Sequence, residues 1–360
     1  MGLEKQRKLQ SLVLTGSGVL SRDIPRDTVI KRIEMRLKGG ITTSFGSGTP
    51  VARADSTFHS LVNTIQVIIN GGRFIKNVQP HLLRMGQLFN TGLEGERSGS
   101  AAVAEVYNPL TDGGFVFGTN GQVSTVAQGL SLPFEFIWTS NEAERALTWL
   151  DTRGVASAEL RLVQNPYSSL QSAANTAPVV YTASTLQVDV TLVEAVGVPA
   201  GQKFYDFRQT TKDVPFTAQV TAQQIDINRG NALAGLWFYA KDGAAGSTTT
   251  ATDRLASNSL VTDMVLKMNG NVDLKATTFL ELRGENKRRY GFYAPQASSV
   301  SVTDGVAHMN FINNAIGDAV NTRNIDSLFL YLSTNSGTYT SYTNTAFVTI
   351  QTDEICEISM

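Results

Sequence analysis

The residues best suited to chemistry in this chain are few and far apart. Three histidines, His59, His81 and His308, stand at no metal-ligand spacing, and Cys356 is the single cysteine, so a Cys/His metal site is not expected and no internal disulfide can form. Each histidine reads as a packing or surface residue. Gly16-Ser17-Gly18 and Gly46-Ser47-Gly48 lack the strand-to-helix setting and the Lys-Ser/Thr of a phosphate loop, so they read as turns, and the chain has no Gly-x-Ser-x-Gly elbow. Asp and Glu are plentiful, but no pattern singles out a carboxylate pair. No catalytic, cofactor-binding or metal-binding residue is therefore assigned, and the chain is not expected to be an enzyme.

Two basic clusters remain. Lys287-Arg288-Arg289, followed by Tyr290, Phe292 and Tyr293, has the chemistry for nucleic acid or anionic lipid. Three like charges in a loop are also what a solvated surface or an inter-subunit ion-pair site looks like, and Glu281 and Glu285 partly offset them. Lys5, Arg7 and Lys8 lie beside Leu3, Leu9, Leu12, Val13 and Leu14, which reads as an arm over residues 1–20 that docks on a membrane or a neighbouring subunit. Deleting those residues is expected to leave the fold intact and weaken assembly. A net charge of −1 supplies no global positive field, and direct sequence-specific nucleic-acid binding is not expected.

These clusters must be positioned by strands. Residues 60–76 and 259–275 align without a gap, and in each a period-2 apolar run (Ile65, Val67, Ile69; Met264, Leu266, Met268) ends at Asn-Gly, the dipeptide that best supplies a tight hairpin turn. Asp23-Ile24-Pro25 and Asp213-Val214-Pro215 stand upstream of the two copies. Both halves close on another alternating strand, Leu186 to Leu192 and Val348 to Ile350. Duplication is the reading that joins these landmarks.

Between them, Gly, Asn, Asp and Pro punctuate short strands at short intervals, which points to antiparallel sandwiches. Helices are the exceptions. One is expected from Ser140 to Arg153, capped by Thr139 and stopped at Gly154, with Ala143, Leu147 and Leu150 inward. A second follows Pro80, with Leu82, Met85 and Phe89 on one face, and a short one lies around Phe279 to Leu282. Asn313 to Ile325 occupies the place in the second half that the capped helix holds in the first. Val163 to Thr185 and Gly243 to Asn258 read as long polar loops, and Val196 to Lys203 as the linker. The expected division is an arm at 1–20, a first domain at 21–199 and a second at 200–360. The chain has no apolar run long enough for a secretory signal or a membrane span, so folding in the host cytoplasm is expected.

With paired Asn-Gly hairpins at Asn70 and Asn269, paired Asp-Ile/Val-Pro segments and matching segments between late strands, residues 20–360 resemble the double jelly-roll major capsid proteins of tailless icosahedral bacterial viruses with an internal membrane, of the tectivirus and corticovirus kind. That resemblance implies an all-β chain of two tandem eight-stranded antiparallel jelly-roll sandwiches with short helices in the connections. It further implies a homotrimeric capsomer in the virion shell, with neighbouring capsomers, penton and minor capsid proteins and the internal membrane as partners. The long loops would project outward and the basic arm would face inward. The alternative is a two-domain jelly-roll protein that binds or hydrolyses glycans, of the peptide N-glycanase type, marked by aromatic and carboxylate residues in one concave groove. A spike or tail-associated sandwich is a third reading.

Overall fold

The computed structural model describes residues 3–46, 50, 57–91, 115, 117, 119–139, 141–171, 178–242, 256–290, 304–313, 315–335, 340–341 and 344–357. In the first half the strands are β1 (Glu4–Lys8), β2 (Leu12–Val13), β3 (Val19–Asp23), β4 (Val29–Phe45), β5 (Val62–Ile69), β6 (Arg73–Val78), β7 (Val123–Pro133), β8 (Leu150–Asp151), β9 (Ala158–Gln164) and β10 (Val179–Ala195). The second half has β11 (Tyr205–Phe216), β12 (Gln223–Asp226), β13 (Ala232–Lys241), β14 (Val261–Met268), β15 (Val272–Thr278), β16 (Val306–Asn310), β17 (Val320–Asn321), β18 (Leu328–Thr334), β19 (Thr340–Ser341) and β20 (Asn344–Glu357). Four α-helices are described: α1 (Thr57–Leu61), α2 (Pro80–Thr91), α3 (Glu142–Ala146) and α4 (Phe279–Tyr290).

Each half builds two facing sheets, and strand order is the same in both. The first half orders them β1-β10-β4-β7 and β3-β9-β5-β6, the second β11-β20-β13-β16 and β12-β18-β14-β15. This is the eight-stranded jelly roll, made twice. Alternation sends Ile33, Met35, Leu37, Val188 and Val190 inward against Ile65, Val67, Leu160 and Leu162 to form one core. A second, separate core gathers Leu236, Phe238, Met264, Leu266, Leu330, Leu332, Val348 and Ile350.

The hairpins carry the repeat at atomic detail. Asn70 and Gly71 have φ of 51° and 77°, Asn269 and Gly270 of 52° and 77°, the paired left-handed values of a type I′ turn. Each Asn also clips the loop before the neighbouring strand. Asn70 Oδ1 accepts from the Ala156 N–H and Asn269 Oδ1 from the Asp326 N–H, both at 2.8 Å. Each Asn N–H in turn donates to a serine carbonyl, of Ser157 and Ser327, at 2.9 Å. Just upstream, the Thr152 hydroxyl donates to the Thr28 carbonyl at 2.7 Å, and the Thr322 hydroxyl to the Asn231 carbonyl at 2.5 Å. Thr152-Arg153, Ser157, Leu160 and Leu162 thus recur as Thr322-Arg323, Ser327, Leu330 and Leu332, an internal repeat that the hairpin alignment does not reach.

Several expectations are corrected. The counterpart of Asp23-Ile24 is Asp226-Ile227, not Asp213-Val214: the Ile24 and Ile227 N–H groups bond the first residues of β9 and β18, Ala158 and Leu328, whereas Asp213 lies inside β11. The Ser140–Arg153 helix shrinks to Glu142–Ala146, capped by the Asn141 side chain, because Leu150 and Asp151 leave it to pair with Ile30 and Val29. The helix expected at Phe279–Leu282 continues to Tyr290, started by reciprocal bonds between Thr278 and Glu281 that form a capping box. Val179 to Thr185, placed in a loop, belongs to β10, while residues 172–177 of that loop and 243–255 of the second lie outside the described residues.

The separate arm at residues 1–20 is also corrected. Glu4 to Lys8 form β1, the first strand of the first jelly roll, paired with Thr191 to Ala195. Leu12 and Leu14 are buried in the core. Of the apolar positions that suggested an amphipathic arm, Leu9, Leu12 and Leu14 instead pack into the sandwich core, while Leu3 and Val13 are exposed. Deletion of residues 1–20 is therefore expected to destabilise the first half, read as an early unfolding transition by circular dichroism. Thr152→Val and Thr322→Val keep the side-chain shape and remove the buried clip, so each should lower the unfolding free energy in urea by about 1–3 kcal/mol.

Candidate functional site: the seam between the two sandwiches

Chemistry-bearing side chains converge where the halves meet. β6 of the first sandwich runs parallel to β11 of the second, with Lys76 beside Gln209 and Asn77 beside Thr210, so two sheets join edge to edge. Two uncovered sheet edges thereby satisfy each other.

Lys76 is fully buried there. Its Nζ donates to Gln209 Oε1 at 2.8 Å and lies 4.0 Å from the centre of the Phe207 ring. Gln209 Nε2 continues to Asp353 Oδ1 at 2.9 Å, and Asp353 also accepts from Gln351 Nε2 at 3.0 Å and from the Trp237 indole at 3.1 Å. Burial lowers the Lys76 ammonium to about 7 against the pull of Asp353 and Asp206, and burial raises the Asp353 carboxyl against its four polar partners. At the rim of the seam, Arg73 is ion-paired with Asp206.

Above this network α2 reaches across the seam. Leu82, Met85, Leu88 and Phe89 form one cluster with Trp237, Tyr239 and Val306 of the second sandwich. Phe89 and Trp237 have ring centroids 5.0 Å apart, and His81 and Tyr239 4.1 Å. The expected face of α2 is thus present, and what it meets is the outer face of the other sandwich's sheet. His308 stacks on Trp237 at 4.0 Å, 7° from parallel, and Gly235 is the residue beside it because a Cβ there would sit 2.7 Å from the imidazole. Burial holds His308 well below the usual imidazole range. All three histidines are buried, and His59 and His81 lie 5.6 Å apart. No group of three or more His, Cys, Asp or Glu suited to a metal is found among the described residues. Burial pushes the Cys356 thiol up to about 12.

The two basic clusters are on different halves. Lys287, Arg288 and Arg289 occupy the last turn of α4, not a loop, where cations complement the carbonyl end of a helix. Arg289 donates to the Ile312 carbonyl; Lys287 and Arg288 are exposed. Phe292 and Tyr293 lie outside the described residues. On β1, Arg7 pairs with Glu194 at 2.8 Å and Asp27 at 3.0 Å, and Lys5 and Lys8 are exposed. Nothing in the sequence marks Gln209 or Asp353, and Lys76 stands out only as the match of Lys275 in the repeated hairpin. The signal available was a lysine in an otherwise strand-like context, present in both hairpin copies.

No protein-family model and no curated sequence matches this chain. Solved structures do match it over its whole length. The major capsid protein of Sulfolobus turreted icosahedral virus is 14% identical with a TM-score of 0.63, covering 99% of this chain and 97% of that one. The capsid of the virus PBCV-1 gives 14%, 0.55, and 99% and 94%. Major capsid protein P2 of bacteriophage PM2 gives 13%, 0.53, and 99% of both chains. The fold of this chain is that of the double jelly-roll major capsid proteins. Peptide N-glycanase F superposes at a TM-score of only 0.34 to 0.35, which carries no argument.

The seam has a pH signature. The unfolded chain holds the Lys76 proton to about 10.5, whereas the folded chain releases it at about 7. Between those values the unfolded state binds more protons, so this residue makes stability rise with pH. Lys76→Met should flatten that rise in urea-unfolding free energies measured from about pH 7 to about pH 10.

Proposed function

We propose that this chain is a viral major capsid protein, the structural subunit of which three copies form a pseudo-hexagonal capsomer in an icosahedral shell around an internal membrane. The observation that carries this reading is the seam. Two jelly rolls of one strand order, fused edge to edge, give each chain two similar outlines, so three chains give six and can tile as a hexagon. The shared fold of the viral capsid proteins supports it. The protein is then part of the virion, made in the host cytoplasm, and its role is structural rather than enzymatic.

Neighbouring capsomers, penton proteins and minor capsid proteins are its further partners. Contact with a membrane through Lys5, Arg7 and Lys8 is supported only by the exposure of Lys5 and Lys8, since Arg7 is held by two carboxylates. The glycan-active alternative is not favoured. The groove of about 740 Å³ on the first sandwich is lined by residues such as Lys8, Glu34, Arg36, Gln128 and Gln187, and among the described residues no aromatic ring lines it for a sugar to stack on. Trp138, Trp237, Tyr239 and Tyr290 are enclosed in the seam rather than offered to a ligand.

Light scattering after size exclusion tests the reading. A stable species near three times 38.9 kDa is expected. A clean monomer that persists at high concentration would count against a shell subunit and bring the glycan-active alternative forward.

A further inference from the structure

The duplication makes the seam a template for a second contact, and this inference rests on the shell-subunit reading above. Equivalent residues follow from hydrogen bonds. Helices α2 and α4 are both 12 residues long and follow the repeated hairpin. At the same helical position, Gln87 donates to the Ser131 carbonyl and Asn286 to the His308 carbonyl. Ser131 pairs with Glu34 and His308 with Trp237, so Glu34 stands where Trp237 stands. Glu34 pairs with Thr191 and Trp237 with Gln351, and two residues on, Val193 faces Gln6 while Asp353 faces Gln209. Gln6 of β1 therefore stands where Gln209 of β11 stands, and Lys275 of β15 where Lys76 of β6 stands.

Both strands of this second set are terminal in their sheets: β1 ends one and β15 ends another. Within the chain, β6 has β11 beside it. β15 has no such neighbour among the described residues. Likewise, α2 covers the outer face at Trp237 and Tyr239, while the matching face of the first sandwich, at Glu34, Arg36, Gly129 and Ser131, is the open groove.

We infer that β15 and α4 of one copy dock on β1 and this groove of a second copy, repeating the seam between chains with its chemistry exchanged. Placed in the seam's register, four of its contacts find complementary pairs. Lys76 and Gln209 become Lys275 and Gln6. Lys76 over Phe207 becomes Lys275 beside Glu4. Phe89 on Trp237 becomes Arg288 on Glu34. The ion pair of Arg73 with Asp206 becomes Val272 against Leu3, and both of these are conspicuously exposed, at 45% and 78%. An ionic contact thus stands where the seam is aromatic, and an apolar one where the seam is ionic. In the single chain the charged members have local substitutes: Glu34 pairs with Arg32 at 2.7 Å, and Lys275 with Glu285 at 2.9 Å. The contact is heterologous, β15 to β1, and so propagates around a ring. The basic residues of α4 and the first strand meet in one interface as a result.

Charge reversal tests it on the full chain. Glu34→Arg and Arg288→Glu should each weaken self-association at least tenfold by light scattering across a dilution series, and the double variant should recover it. Leu3→Cys combined with Val272→Cys removes no charge; on oxidation it should join copies covalently on a non-reducing gel, while either cysteine alone should not give that ladder. Cys356 is buried and does not compete. A wild-type oligomer whose association is unmoved by both reversals, with no ladder from the cysteine pair, overturns this contact and leaves the shell-subunit reading standing. A wild-type chain that stays monomeric overturns both.

Discussion

A β-sandwich of open sheets has edges, and an uncovered edge is a row of unsatisfied N–H and C=O groups that will pair with something. In this molecule one such edge, β6, is closed by the first strand of the following sandwich. Everything else at the seam follows from that closure. Joining the sheets draws Lys76, Gln209 and Asp353 out of water, and a buried lysine is tolerable only because an amide and a carboxylate complete its surroundings. Trp237 then serves twice, donating to Asp353 and presenting its face to α2 and His308. A polar strip below and an aromatic layer above fix how the two sandwiches stand together.

The two halves have diverged unevenly, and the pattern of divergence is informative. Devices that act inside a sandwich are kept: the Asn-Gly turns, the Asn clips, and the threonines that bond across to Thr28 and Asn231. Each of these satisfies a local backbone group, and at the buried Thr152 and Thr322 a replacement leaves a backbone carbonyl without that donor. The faces that look outward from each sandwich have changed instead. α2 offers Leu82, Met85, Leu88 and Phe89 to its neighbour, whereas the same positions of α4 are Glu281, Gly284, Lys287 and Arg288. A permanent contact within one chain can be wholly buried and aromatic. A contact made and checked during assembly is better served by charge, which sets register and rejects wrong pairings more than it adds affinity.

The functional reading rests on the sheet edges rather than on a constellation of reactive side chains. Among the described residues, the histidines, the thiol and the buried acid are enclosed by protein. What the molecule presents outward is two similar sandwiches, a terminal strand at either end and a groove of mixed charge.

Local chemistry is legible in the sequence, and that is where the sequence by itself decided the outcome. Alternating apolar residues, Asn-Gly turns and the face of α2 depend on neighbours within a few positions, so the strands, the duplication and the two-sandwich architecture could all be read. Tertiary structure decided whatever depended on pairing at a distance. Leu150 and Asp151 look helical until β4 claims them, and the basic N-terminal segment looks like a free arm until β10 does. Asp213-Val214-Pro215 resembles Asp23-Ile24-Pro25 in composition alone, since a short motif carries no record of which strand it sits on. Lys76 meets Gln209 across 133 residues, and no spacing rule spans that distance. The seam, and with it the second contact it implies, exists only once two sheet edges have been brought together, because the burial that makes those side chains interact is created by that approach.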